Sequence, residues 1–138
     1  GKRGALMEID AIQEYILMRL YRADQGGEAA DPVRTPHAAS YAYVVFPLAK
    51  THPKSTYSRA IELIIKNGLV ETAKADCNGL FVCPKSGKKR LVKKSLLNKW
   101  VHEQEILYLT DTGVAWARNR QAQIDGAKDK RRAREQKR

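Results

Sequence analysis

Residues 55–71 read Ser55-Thr56-Tyr57-Ser58-Arg59-Ala60-Ile61-Glu62-Leu63-Ile64-Ile65-Lys66-Asn67-Gly68-Leu69-Val70-Glu71. Tyr57, Ala60, Ile61 and Ile64 recur at helical spacing and share one face, with Ile65 flanking it. At about 100° per residue, Ser55, Ser58, Arg59, Glu62 and Lys66 fall on the opposite face. Ser55 is expected to cap the helix start. Asn67-Gly68 ends the helix, because glycine takes a positive φ without a Cβ penalty. Leu69-Val70-Glu71-Thr72 then opens a strand.

Upstream, residues 5–23 predict a first helix. Ile9, Ile12, Ile16 and Leu20 form its stripe and Leu17 widens it. Glu8 and Asp10 near its start and Arg19 and Arg22 near its end suit the helix dipole, and Gly26-Gly27 is expected to stop it. Residues 24–37, with Gly26, Gly27, Pro32 and Pro36, read as a loop. Tyr41 to Leu48 is an apolar run of helix or strand type. Val44-Val45-Phe46 favours a strand, and Pro47 would end a helix early. Residues 50–54 make a short break.

Downstream, Asn78-Gly79 signals a two-residue hairpin between strands around Lys74 and Leu80 to Cys83. Lys85-Ser86-Gly87 signals a second turn. Ser95 to Gln104 is expected to form a short helix with Leu96, Leu97, Trp100 and Val101 on one side, and Ile106 to Leu109 a strand. Thr110 would cap a last helix running to about Gln123, with Asp111 in its first turn. Residues 124–138 form a basic tail. From Ala127 on it has no large apolar residue and seven basic ones, and is either a solvated helix extension or disordered.

At 138 residues and 43% apolar, the chain supports one domain and a tail. No apolar run approaches the roughly 18 residues of a membrane span. The acidic Glu8, Asp10 and Glu14 exclude a secretory core near the start. Twenty-six Lys and Arg against 15 Asp and Glu give a formal +11, which favours a polyanionic partner. Two cysteines make no disulfide framework, so a reducing cytoplasm, nucleoid-associated, is the expected compartment.

The segment 55–71 resembles the recognition-helix segment of bacterial winged-helix regulators of the MarR-like kind. Leu109-Thr110-Asp111-Thr112-Gly113 resembles the turn by which such domains leave the second wing strand for the last helix. The resemblance covers about residues 38–120. It implies an α+β winged helix-turn-helix over residues 1–123, with a long wing insertion at about 73–105. Two features depart from the pattern. About 30 residues separate Thr72 from Ile106, which points to an enlarged, partly independent wing, and Pro47 lies in the second helix.

The resemblance further implies sequence-specific binding of double-stranded DNA by a transcriptional regulator, with the 55–66 helix in the major groove. Ser55, Thr56, Ser58 and Arg59 would meet base edges, Arg59 being able to pair bidentately with guanine. Lys54 and the free amides of the helix start would hold a phosphate, and Lys66 the backbone. Glu62 would accept from a cytosine amino group or pair with Arg59 or Lys66. Lys85, Lys88, Lys89, Arg90, Lys93 and Lys94 lie in a stretch to Lys99 that has no acidic residue, and would grip phosphates as a wing. A DNA-binding replication or recombination accessory protein of a mobile element is the alternative, recruiting a protein partner through the wing; RNA or ribosome binding is a further one. The first and last helices, the latter with Trp116, are the expected homodimer surfaces.

Cys77 and Cys83 flank the Asn-Gly turn without a second ligand pair, so no metal or other cofactor is expected; they are either paired or buried thiols. His37 and His52 sit beside prolines and look incidental, although His52 could touch phosphate. No phosphate loop or nucleophile pattern supports catalysis, and Tyr41, Tyr43 and Tyr57 read as packing residues.

Overall fold

A computed structural model describes residues 8–23 and 36–136, and the chain there is mixed α+β. In order come α1 (Ala11–Arg22), β1 (Ala38–Ser40), α2 (Tyr41–Ala49), α3 (Lys54–Lys66), β2 (Val70–Ala75), β3 (Leu80–Val82), β4 (Lys89–Leu91), β5 (Gln104–Leu109) and α4 (Asp111–Gln136). One 3-10 turn, Lys94–Leu96, stands between β4 and β5. Among the described residues no helix is long and apolar enough to cross a membrane.

α1 starts later than its apolar stripe suggests. Asp10 is its N-cap, and the carboxylate accepts from the Gln13 amide at 2.8 Å, so residues 8–10 stay outside the helix. It ends at Arg22 with Ala23 extended; residues 5–7 and Gly26-Gly27 lie outside the described residues. Ile16, Leu17 and Leu20 are fully buried, and Gln13 lies on the same face. The Gln13 Oε1 is buried without a hydrogen-bond partner. Gln13→Met removes that desolvated oxygen at nearly constant volume. It is expected to stabilise the protein by about 1 kcal/mol, a rise of a few degrees in Tm read by thermal unfolding. An unchanged or lower Tm would contradict the packing.

The ambiguous run 41–48 is a helix. Ser40 supplies the reason, its Oγ accepting from the Tyr43 amide at 3.0 Å as N-cap. Pro47 lies inside α2 and cannot donate to the carbonyl of Tyr43. That carbonyl accepts instead from Arg19 Nε at 3.0 Å, and the Arg19 guanidinium lies 3.9 Å from the Tyr43 ring centroid. A side chain of α1 thus replaces the bond that proline removes.

α3 buries Tyr57, Ala60, Ile61 and Ile64, as the spacing requires. Ser55 does not cap it. Pro53 is the N-cap and offers no side-chain bond, which puts Ser55 within the first turn. Gly68 has φ of +76° and ends the helix as expected.

The main sheet has the order β1-β5-β2, all antiparallel, with Ala39 and Thr72 both opposite Leu107. β1 carried no periodic signal. Three small residues form a strand there because β5 offers a free edge. All three β1 residues and Ile106 to Leu109 of β5 are buried. Alternate strand residues point to opposite faces, so both faces of the sheet are covered.

Residues 76–103 provide the second cover. Asn78-Gly79 does form a tight turn, with Asp76 Oδ1 accepting from the amides of Asn78 and Leu80 at 2.9 and 3.0 Å and Gly79 at φ of +90°. It does not close the expected hairpin, however. β2 is paired along its whole length with β5, and β3 pairs with β4 around the Lys85-Ser86-Gly87 turn. Phe81 packs on Tyr108 at 5.5 Å between ring centroids. Phe81, Val92 and Leu96 share one buried cluster with the helices. The insertion is therefore a layer of the core and not a partly independent wing.

The expected helix at 95–104 shrinks to the single turn at Lys94–Leu96, with only Leu96 and Leu97 tucked in, while Trp100 and Val101 face water. The last helix passes Gln123 and continues to Gln136, so the basic segment is a solvated helical extension as far as it is described; Lys137 and Arg138 lie beyond. Thr110 caps it, its Oγ1 accepting from the Gly113 amide at 3.0 Å and donating to the Gly68 carbonyl at 2.6 Å. Arg120 pairs with Glu14 at 3.1 Å, and Arg22 holds Gln121, which docks α4 on α1.

Candidate nucleic-acid interface

The face of α3 that packs nothing carries Lys54, Ser55, Arg59, Glu62 and Lys66, all exposed, with Thr56 and Ser58 half-buried at its margins. Ser55, Thr56 and Arg59 line a shallow groove against Asp10 and Ile12 at the start of α1. Among the described residues, Arg59, Glu62 and Lys66 make no ion pair, so Glu62 neutralises neither neighbour. Arg59 is thus presented with its fork of donors free. Tyr41 stands behind this face. Burial raises its pKa, and the nearby Tyr57, Glu105 and Glu62 add to the rise, so the phenol stays protonated.

The basic insertion lies elsewhere. Lys85 Nζ bonds Glu71 at 3.1 Å, and Glu71 accepts from the Tyr108 hydroxyl at 2.6 Å. The hydrogen bond from Tyr108 holds the Glu71 carboxyl below its ordinary pKa; burial opposes it, and the hydrogen bond and charge of Lys85 add smaller lowering effects. Burial and the same hydrogen bond push Tyr108 upward, so the proton stays on the phenol. Glu71 and Tyr108 are register partners and share the sheet face that Phe81 covers. Glu105, beside Tyr41 and α3, belongs to the alternate set of β5 and faces the other way. The polar face of α3 and the Lys85 turn are therefore on opposite sides of the sheet and do not form one groove.

Lys88, Lys89, Lys93 and Lys94 are exposed along the outer layer, and Arg90 is half-buried opposite Phe81. Lys85, Lys88 and Arg90 line a cleft of about 500 Å³ that reaches the start of α4. Glu71 and Asp111 line it too and offset the cations, so it is no simple anion trap. The outward face of the β3–β4 ladder is mixed, with Leu80 and Val82 exposed beside Lys89.

Other residues fall into structural roles. His37 is not incidental. It adopts φ of +64°, stacks on Tyr21 at 4.8 Å, and places Nδ1 2.7 Å from the Tyr21 carbonyl, fixing the approach to β1. His52 Nδ1 lies 2.9 Å from Thr51 Oγ1 at the turn before α3. Both cysteines are free thiols, Cys77 exposed and Cys83 buried. Among the described residues no group of three His, Cys, Asp or Glu could hold a metal ion.

Sequence reasoning missed two exposed aromatic residues. Phe46 is 62% exposed and Trp100 84%, each with a lysine ammonium over its ring, Lys50 at 4.6 Å and Lys99 at 5.2 Å. Phe46 read only as part of a strand-like apolar run, and Trp100 as one side of a short helix. Only the acid-free basic stretch from Lys85 to Lys99 hinted otherwise. Comparison of the chain with protein-family models, curated proteins and solved structures gives no match in any of the three, so the interface stands on its own geometry.

Proposed function

We propose that the chain is a winged helix-turn-helix protein that binds double-stranded DNA sequence-specifically and serves as a transcriptional regulator. One observation carries the reading. In a helix–strand–helix–helix–strand order with β5 central in the sheet, α3 buries Tyr57, Ala60, Ile61 and Ile64 and leaves Ser55, Arg59 and Lys66 bare. A helix so anchored, following another after a four-residue turn at 50–53, suits insertion into a major groove. The net charge of +11 supplies the sequence-blind attraction that accompanies such binding.

In this reading Ser55, Thr56, Ser58 and Arg59 meet base edges, Lys54 holds a phosphate at the helix start, and Glu62 accepts from a cytosine amino group. Lys88, Lys89, Lys93 and Lys94 on the outer layer attract a second stretch of backbone. A homodimer through α1 and α4 would require a two-fold symmetric site. Tyr15 and Ile124 line a groove between those helices that a second copy would cover. The replication or recombination reading draws on the exposed Leu80 and Val82, which offer a partner protein a surface away from α3.

The test is selection of bound duplexes from a random pool at physiological salt, followed by Arg59→Ala. The substitution is expected to weaken the selected site about 10- to 100-fold and random duplex less than about threefold. Equal losses on both would remove base readout by Arg59, and no enrichment from the pool would remove sequence specificity.

A further inference from the structure

Trp100 is held out in water by a constrained loop. The Asn98 amide donates to Gln104 Oε1 at 2.8 Å, and Gln104 Nε2 donates back to the Asn98 carbonyl at 3.0 Å. The amide of Trp100 donates to Asn98 Oδ1 at 3.1 Å, and that of Val101 to the Asn98 carbonyl at 3.2 Å. A slack loop would fold the indole onto the adjacent apolar surface of Leu97 and Val101. This loop instead leaves the ring 84% exposed, beside the end of the β2–β5 ladder where Ala75 pairs with Gln104.

The surroundings favour an anionic occupant. The basic residues nearest to Trp100 in the chain are Lys93, Lys94 and Lys99, with Glu103 and Glu105 following on the strand side. Phe46, the second exposed ring, lines a groove with Leu97 and Asn98, close to Trp100 in the chain. Two rings, each with a lysine over it, match alternating bases and phosphates. Aromatic rings accept the face of any base, and lysines accept the linking phosphates. Inside a duplex the bases are stacked on one another, so away from its ends only an unpaired base offers its face to such a ring.

Building on the duplex-binding reading above, we infer that Trp100 stacks on an unpaired base next to the bound duplex, with Phe46 as a second platform. The preferred ligand is then a duplex carrying a gap or a single-stranded overhang.

The experiment compares parent protein, Trp100→Ala and Trp100→Phe on a blunt duplex, on the same duplex with a short gap, and on single-stranded DNA. Affinity is read by anisotropy and base contact by quenching of the fluorescence that Trp100→Ala lacks. The parent is expected to bind the gapped duplex about tenfold tighter than the blunt one, Trp100→Ala to lose that preference, and Trp100→Phe to keep most of it. Tm and blunt-duplex affinity should stay constant across the three. Equal affinity of parent and Trp100→Ala for the gapped duplex overturns the assignment. Quenching by an acidic polypeptide and by no oligonucleotide also overturns it, in favour of a protein partner. Failure of the parent on blunt duplex overturns the duplex-binding reading instead, and Trp100 is then decided by the same pair of proteins on single strands.

Discussion

Gly113→Ala is expected to destabilise the protein by about 3 kcal/mol or more, lowering Tm by roughly 10 °C. A Cβ at this position would sit 2.1 Å from the Leu69 carbonyl oxygen and 3.2 Å from Leu109 Cδ2. The first neighbour is backbone, and it cannot swing aside. The Leu69 carbonyl already accepts from the Thr110 amide at 3.0 Å, while the Leu69 amide is tied to Ile64 at 2.9 Å. Moving it would disturb the end of α3 and the cap of α4 together. Gly126 is the control. It lies in the same helix with nothing within 4 Å of its Cβ position, and Gly126→Ala should stabilise by about 0.5–1 kcal/mol. Thermal and urea unfolding of both variants check the pair. A loss of only a degree or two at Gly113 would contradict the close approach of α4 to the α3–β2 junction.

Phe81→Ala is the second large effect, expected to cost about 3–4 kcal/mol. Phe81 is 2% exposed and lies on Tyr108 in the central strand. Because the insertion is a layer of the core, the loss should appear as a lower urea midpoint for the whole chain with an unchanged m-value. Amide exchange in β5 should accelerate along with that of β3 and β4. An independent wing would behave otherwise, with an early local transition confined to residues 76–103 while β5 stayed protected. The two patterns separate the layered fold from a protruding wing without reference to any ligand.

The two changes probe features of unequal visibility in the sequence. The stretch Leu109-Thr110-Asp111-Thr112-Gly113 was legible as a helix start, because threonine capping is local chemistry. That Gly113 must be glycine was not legible, since the clashing atom belongs to Leu69, far away in the chain. The insertion shows the same division. Its turns at Asn78-Gly79 and Lys85-Ser86-Gly87 were marked by residues suited to positive φ, and both turns form. Strand partners were not marked. β2 pairs with β5 and β3 pairs with β4, partners that no local residue pattern names.

The candidate interface divides likewise. The polar face of α3 followed from period alone, because Tyr57, Ala60, Ile61 and Ile64 can be buried only on the other side. The seven cations of residues 85–99 were equally plain. That the Lys85 turn lies across the sheet from α3 was not, because it depends on Phe81 finding Tyr108 and Lys85 finding Glu71. Trp100 was assigned to a helix face by the neighbouring Leu96 and Leu97, and the Asn98–Gln104 bracket turned it outward.

By itself, then, the sequence determined α1, α3, the capped start of α4, the turns and the excess of positive charge. Each of these depends on interactions within a few residues or on composition. Ser40 caps 41–49 locally, but tertiary structure decided that the helix tolerates Pro47, because the Tyr43 carbonyl accepts from Arg19 of α1. It also decided that 38–40 is a strand and that the insertion covers the sheet. Those outcomes depend on which distant surfaces must be hidden from water together, and no local pattern encodes that.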